Sequence, residues 1–452
     1  MILFSAGYFF NTFLIIAFNN YVWTFYENEL GLVSIISLWP IYLAITNTIF
    51  TIWSMISGPL IGYFTDKPMK WTKRWGFHTP WIVIGGIPVI LFFVLLFTPP
   101  EVTGIESALT ILIYYLIIVI LYDTSLSLLQ THSFGGFAAH FRGDTVRRKA
   151  GLLTQLFTFF ASYFAVVIWS QIIIPGNPTT FTYAALFSII FMIISFILFL
   201  PGSKESNEMK ERFILGYQTA ERISFFKTMK MGIKQKNFML AVSTYVSFMI
   251  AMGLVSMNSV NFVDDVLEEE QNIRSIGSTL MVICSISSLP LWINVAKKIG
   301  HSSTYIIGLL LIGVNSLMYM FINDVLGYYI VSITGGFTSA MFMIMLSPVL
   351  ADTYDEITVK TKKHLEATLI GIRNFFLRIS VSIQSFIVAI IHIITAYNPT
   401  TPSSEAKFGL RIIQGLFPFI ICIIGAIIFY KLYDLKGKKK QEIMQKLHDM
   451  GL

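Results

Sequence analysis

Residues 62–97 read GYFTDKPMKWTKRWGFHTPWIVIGGIPVILFFVLLF. The first half is crowded with Lys67, Lys70, Lys73 and Arg74, and from Trp81 to Phe97 no charge occurs at all. A hydrocarbon core of about 30 Å needs roughly 20 mostly apolar residues in a helix, so this run and its flanks reach across one. The basic stretch before it marks a loop held in water, and Pro80-Trp81 marks where the chain turns back into lipid.

The same alternation runs the length of the chain. Apolar runs are expected to span at Leu3–Tyr26, Trp39–Phe64, Trp81–Phe97, Ile105–Leu129, Leu152–Ile174, Phe181–Leu200, Phe238–Val263, Ser275–Val295, Thr304–Phe321, Gly327–Leu350, Ala367–Tyr397 and Gly409–Tyr433. Composition agrees: 55% of the 452 residues are hydrophobic and only 13% charged, against about a quarter charged in a soluble domain. Forty Phe and twenty Tyr suit lipid-facing and interfacial positions; Trp23, Trp39 and Trp81 near span ends are read as an aromatic belt. The fold class is therefore all-α, a polytopic membrane protein of twelve transmembrane helices. The first six spans form a bundle over 1–200, a polar linker covers 201–236, and a second bundle with a short tail covers 237–452.

Charge placement sets the expected topology. Of the 32 lysines and arginines, all fall in alternate loops and the C-terminal tail except Arg274 and Lys407 in opposite loops and Arg373, Arg378 and Arg411 within spans. Lys and Arg accumulate in cytoplasmic loops, so a multi-pass protein of the cell membrane with both termini cytoplasmic is expected. The net charge of +7 then reflects those loops and not a nucleic-acid surface. The outer loops are acidic, with Glu27, Glu29 and the cluster Asp264, Asp265, Glu268, Glu269, Glu270, read as a solvated face. Cys284 and Cys422 both lie in apolar runs and act as small core residues. The first run has no basic n-region or cleavage site, so it is read as a retained helix.

The loop after span two carries Gly62-Tyr-Phe-Thr-Asp66-Lys67, then Arg74-Trp75-Gly76 and Pro80-Trp81. A glycine ahead of an acid–base pair lets helices approach closely, with Asp66 placed to accept from a helix N-terminus. This pattern resembles the loop motif of the major facilitator superfamily. Its Arg-Trp-Gly-x-x-x-Pro-Trp continuation is similar to the glycoside–pentoside–hexuronide:cation symporters, the melibiose carrier family. The resemblance extends to Gly7–Phe13, to Glu29-Leu30-Gly31-Leu32, and to Ala351-Asp352-Thr353-Tyr354-Asp355 with Glu366. It implies two six-helix bundles related by a pseudo-twofold, a solute near mid-membrane, and transport by alternating access. Gly62, Asp66, Lys67, Arg74, Asp352 and Asp355 would serve the cytoplasmic gate, the last two from a loop.

Away from the span ends, Asp123 is the one carboxylate expected within a span. An ionised aspartate in the bilayer core costs about 2.5–3.5 kcal/mol on insertion scales, so it faces a cavity or a partner. In the family the matching aspartate helps bind sugar, and a lysine stands where this chain has Arg378. Asp123 and Arg378 are expected to flank the central cavity, one from each bundle, or to form a structural ion pair. Asn11, Thr12, Tyr122 and Asn374 are the further substrate-binding candidates; Asn19, Asn20, Asn47, Thr124, Asn258, Asn261 and Gln384 add polar groups that serve a hydrated path or interhelical hydrogen bonds. Arg373 suits lipid headgroups or the gate, and His392 a packed or interfacial position.

The chain also departs from the family. Where the symporters carry two cation-binding aspartates in span two, it reads Trp53-Ser54-Met55-Ile56-Ser57-Gly58-Pro59. Ser54, Ser57 and Gly58 are thus a degenerate cation site, and hydroxyls alone do not neutralise sodium in low dielectric. Thr12 likewise replaces the family's span-one aspartate. Asp123 taking a coupling proton, uncoupled transport, and a different solute all remain open. The expected partners are a small-molecule solute, a possible coupling proton and the bilayer, with the protein a monomer. No cofactor or bound metal is implied, and His78, His132, His140, His301, His364 and His448 lie in loops or the tail without metal-ligand spacing. An enzyme would need clustered catalytic groups; a non-transporting sensor would need a larger soluble output domain. Within transporters, the alternative solute is amphipathic, such as a lysolipid.

Overall fold

A computed structural model of the chain describes all residues except 66–68, 142–143, 212–213, 215–229, 231, 362–365 and 450–452. Among the described residues the regular structure is entirely helical, and twelve helices are long and apolar enough to cross a membrane. They are α1 Ile2–Glu29, α2 Trp39–Thr65, α3 Thr79–Leu96, α4 Ala108–His140, α5 Asp144–Ile172 and α6 Pro178–Gly202. The later six are α7 Lys236–Met257, α8 Asn272–Ile299, α9 His301–Leu317, α10 Val325–Thr361, α11 Glu366–Ile394 and α12 Ser404–Leu432. A short polar helix, α13 Gly437–Asp449, follows.

Most of the spanning helices are apolar on nearly all sides. On α3 the exposed Ile84, Ile87 and Leu91 recur at helical spacing, while Gly85, Gly86, Val89 and Phe93 are buried. One face meets protein and the other suits lipid. Hydropathy reports where lipid would end, not where the backbone hydrogen bonds stop. Hence α4 runs past Leu129 to His140 and α10 past Leu350 to Thr361. His132, Asp352 and Asp355 therefore stand on helices and not in the loops expected for them.

The chain divides into two compact units. The first comprises 1–222 with 270–275 and 398–401, the second the remainder. Much of the expected 201–236 linker lies outside the described residues. Within the first unit the principal helix pairs are α3–α4, α1–α5, α1–α6 and α2–α4; within the second they are α9–α10, α7–α12, α9–α12 and α7–α11. Three of these pairings correspond one to one, helix n to helix n + 6, which is the internal mark of a repeat.

The α3–α4 and α9–α10 crossings share a cause. A Cβ at Gly85 would stand 2.7 Å from the Ser125 carbonyl oxygen and 2.9 Å from the Leu129 nitrogen; one at Gly308 would stand 2.9 Å from the Phe342 nitrogen. Both contacts are backbone on backbone, the close approach that small residues permit between helices in lipid. Among the described residues no such approach occurs at Gly62, where an added Cβ meets nothing within 4 Å. That expectation is corrected: the glycine of the loop motif is not a helix-crossing point.

Two further expectations change on burial. Arg274 is not a loop cation but is 2% exposed, its guanidinium 5.1 Å from the Tyr21 ring centroid and donating to Asn20 and Gln271, each at 3.4 Å. The aromatic belt also loses members. Trp39 is fully buried and donates to the Tyr26 carbonyl at 2.7 Å, and the buried Trp23 donates to Glu27. Indole N–H groups need an acceptor once buried, and both find one inside the protein.

Candidate functional site

Asp123 sits on α4 in the first unit, 2% exposed. Ser57 of α2 donates to its Oδ2 at 3.4 Å and also to the Ser54 carbonyl at 3.3 Å. The neighbouring Thr124 accepts from the Trp53 indole at 2.9 Å, so two side-chain bonds tie α2 to α4 at this level. One of the degenerate cation-site serines, Ser57, and the spanning carboxylate are thus brought together. Thr51 and Ser54 on α2, and Ser127 one turn beyond Asp123, are buried hydroxyls with no hydrogen-bond partner among the described residues. A buried polar group left unmatched costs about 1–3 kcal/mol. This stretch of α2 and α4 is therefore rich in capacity to bind a polar group.

The other first-unit candidates divide. Tyr122 donates to the Leu14 carbonyl at 3.1 Å and stacks on Phe18 at 5.2 Å, so its hydroxyl serves the α1–α4 contact. Asn11 is buried and donates back to the Gly7 carbonyl at 2.7 Å, leaving its Oδ1 without a partner among the described residues. Thr12 is half-buried one position on, and Gly58 half-buried beside Ser57. An added Cβ at Gly58 would meet nothing within 4 Å. Asn47 accepts from Tyr115 at 2.6 Å.

In the second unit Arg378 is half-buried on α11. Asn374, one turn earlier, is exposed and accepts from Arg373 at 3.1 and 3.3 Å. Arg373 itself lies 5.9 Å from the Tyr245 ring centroid of α7. Asn258 and Gln384 are spent on packing: the first donates to the Leu410 carbonyl at 2.9 Å, the second to the Met249 carbonyl at 2.8 Å. Asp352 pairs with Lys440 of α13 at 2.6 Å, and Asp355 is half-buried one turn further along α10.

Asp66 and Lys67 of the loop motif lie outside the described residues. Arg74 is exposed, 5.3 Å from the Trp75 ring centroid, and its carbonyl accepts from Lys210 at 3.1 Å. The rest of the motif has a clear physical use. Gly76 adopts φ of 93°, a left-handed value that favours glycine, and Glu205, just past α6, reaches under it to accept from the Phe77 amide and from the His78 amide at 2.8 Å. A carboxylate on the orphan amides of a helix start is favourable both as a cap and against the helix dipole. His78 in turn meets His132 of α4, Nδ1 to Nδ1 at 3.2 Å. Burial, and then the nearby His140, lower the His78 pKa to about 4, so His78 is neutral at ordinary pH. Glu205 and His132 were not among the expected site residues; their sequence separation from His78 hides the contact.

The expected solvated acidic face is also corrected in part. Glu27 is fully buried and Asp265 is 6% exposed. Each lies in a π-turn, Phe25–Glu29 and Phe262–Val266, at the end of the first helix of its unit. Such turns open one extra backbone position and recur at functional sites. Tyr397 donates to Asp265 at 2.5 Å, and the His392 ring packs on Tyr397 at 4.3 Å. Burial raises the Asp265 pKa to about 7, against the lowering influence of Tyr397, His392 and Lys407. A carboxyl raised from 3.8 in the unfolded chain favours the fold most below that value. The advantage is lost as pH climbs toward 7. Asp265→Asn should therefore gain thermal stability relative to the parent as pH rises from 5 to 8; an equal difference at both pH values contradicts the raised pKa.

Twelve apolar helices in two units with matching internal pairings, and a buried carboxylate among hydroxyls in the first, define a multi-pass membrane carrier of the major facilitator type. The family model described as "MFS/sugar transport protein" matches residues 3–437, and the chain belongs to that family. Among curated relatives, the sodium-dependent lysophosphatidylcholine symporter 1 of Gallus gallus is 20% identical over 93% of this chain and 85% of its own length. The lactose permease of Leuconostoc lactis is 23% identical over 87% of this chain and 62% of its own. A crystal structure of a D-xylose-proton symporter superposes with a TM-score of 0.63 at 12% identity, covering 96% of this chain and 97% of that one. The chain is thus a transporter by family and fold.

Proposed function

We propose that the protein moves a sugar or a related polar organic solute by alternating access, with Asp123 as the principal solute-binding group of the first unit. The observation that carries this reading is the Asp123 carboxylate, buried on α4 beside Ser57 and accompanied on the same two helices by the unmatched hydroxyls of Thr51, Ser54 and Ser127. A carboxylate is retained in the membrane against its insertion cost when water or cargo reaches it, and a set of hydroxyls suits a hydroxyl-rich ligand. Arg378 would supply a fixed positive charge from the second unit, with Asn11, Thr12 and Asn374 as lesser contacts. The position in the glycoside–pentoside–hexuronide:cation branch, and the cytoplasmic placement of both termini, belong to the same proposal and rest on the loop motif and the distribution of Lys and Arg.

Coupling follows from what α2 lacks. Serines at 54 and 57 leave Asp123 as the one acid on α2–α4 among the described residues of the spans, which supports a proton, or no ion, in place of family-like sodium. A second reading is favoured by Thr12 in place of the family's aspartate and by the name of the Gallus gallus relative: an amphipathic solute such as a lysolipid. Thermal-shift screening of the purified protein against sugars, glycosides and lysolipids, with sodium and pH varied, separates the two. The expected result is a shift with a sugar or glycoside that is indifferent to sodium. A lysolipid shift alone moves the assignment to the second reading, and a sodium-dependent shift refutes the reading of α2. Absence of flux for the shifted ligand in proteoliposomes would point instead to a sensor.

A further inference from the structure

A cavity of about 490 Å³ lies at the basic-loop end of the second unit, between the turn joining α8 to α9 and the turn joining α12 to α13. That size falls within the range of about 300–1,000 Å³ typical of small-molecule sites. It shares no residue with the Asp123 neighbourhood. Its lining includes Lys297, His301, Ser303, Lys436 and Lys440 and contains no acidic residue.

Charge in this cavity is unbalanced. Lys440 is matched by Asp352 at 2.6 Å, and Lys439, just outside, is matched by Asp434 and Glu356 at 2.6 and 3.7 Å. Lys297 and Lys436 have no carboxylate partner among the described residues. Lys436 is half-buried with its ammonium 5.2 Å from the Tyr430 ring centroid, and burial lowers its pKa. An ammonium held partly out of water without a counter-ion is stabilised by any anion that arrives.

The backbone adds to the same preference. The 17-residue α9 begins after Gly300, whose φ of 86° and missing side chain leave the first turn without a side-chain cap. The 13-residue α13 begins at Gly437, also on this cavity. Helix starts carry orphan N–H donors and the positive end of the dipole. Two of them meeting two unmatched lysines make a polarity that only an anion answers, and several donors in a fork suit the oxygens of phosphate.

The geometry points to a phosphate-binding site here, with Lys297 and Lys436 as the charged contacts and the first turns of α9 and α13 as the backbone donors. The phosphate can come from an anionic phospholipid headgroup, since basic pockets between helices at the cytoplasmic face of membrane proteins hold such groups, or from a soluble phosphate. The shared chemistry is the phosphate itself.

The test uses the full-length protein in neutral detergent, followed by thermal unfolding. One arm titrates inorganic phosphate against chloride at equal ionic strength. The other adds phosphatidylglycerol against phosphatidylcholine. The expected result is a rise in melting temperature with phosphate, with phosphatidylglycerol, or with both, and none with chloride or phosphatidylcholine. The responding arm identifies the source. In Lys297→Ala/Lys436→Ala the half-saturating concentration should rise about thirtyfold, the loss of two basic groups near a phosphate. Because Lys297 is exposed and Lys436 only half-buried, with no carboxylate partner for either among the described residues, this variant should fold normally. Ser303→Asp provides an independent check: a carboxylate placed in the first turn of α9 should raise the melting temperature without ligand and abolish the response. The proposal fails if neither arm responds, if chloride matches phosphate, or if the double variant keeps the full response.

Discussion

Asp123→Asn is expected to lower solute uptake into proteoliposomes about two- to thirtyfold while folded yield stays near that of the parent. Hydrogen bonds to a charged group contribute about 1.5–3 kcal/mol, against about 1 for a neutral pair, and each 1.4 kcal/mol is tenfold in affinity. The amide has the shape of the carboxylate and keeps an oxygen to accept from Ser57, so the 3.4 Å contact survives and packing is undisturbed. What is lost is the charge. If Asp123 were only a structural anchor between α2 and α4, the surviving contact would leave both melting temperature and transport near those of the parent. Uptake at the parental rate by Asp123→Asn therefore removes the central claim of the proposed function. Ser57→Ala should show a weaker version of the same effect, because it takes away one donor and leaves the carboxylate in place.

The second large effect concerns stability. Gly85→Leu and Gly308→Leu should each collapse the yield of monodisperse protein, and even the alanine variants should melt lower than the parent. The obstruction at both sites is backbone: the Ser125 carbonyl at 2.7 Å and the Phe342 nitrogen at 2.9 Å from the added Cβ. No rotamer change relieves such a clash, so the helices must separate along the crossing, losing the dispersion contacts that hold membrane helices together. Overpacking a well-filled interior costs about 1–3 kcal/mol even where side chains can yield. Gly62→Ala is the matched control. Its Cβ meets nothing within 4 Å, and removing a glycine from within α2 favours the helix by up to about 1 kcal/mol. Equal melting temperatures for Gly85→Ala and Gly62→Ala would show that the crossing is looser than drawn here.

Much of this architecture is legible from the chain alone, for a definite reason. A spanning segment declares itself by being apolar on every side, and charge can gather only where water is, so the number of spans follows from residues such as the uncharged run at 81–97. The same uniformity hides how each helix is turned. A helix apolar all round has no polar stripe to give its phase, so nothing in the run around Asp123 announces that Ser57 faces it. Polar partners far apart in the chain are equally silent: His78 and His132, or Glu205 and the amides of Phe77 and His78. Arg274 shows another limit: its position between two apolar runs assigns it to a loop, and nothing there announces the aromatic ring and two side-chain amides that enclose it. The acidic cluster failed the same way at Asp265, where the partner Tyr397 comes from the end of α11.

The position of Glu205 has a practical consequence for anyone dividing this protein. A cut placed by hydropathy at Leu200, the last apolar residue of α6, would discard the carboxylate that caps the start of α3 and strand the two amides it holds there. An isolated N-terminal half should be made to run on through the polar residues after α6, even though nothing in their composition advertises that they belong to it.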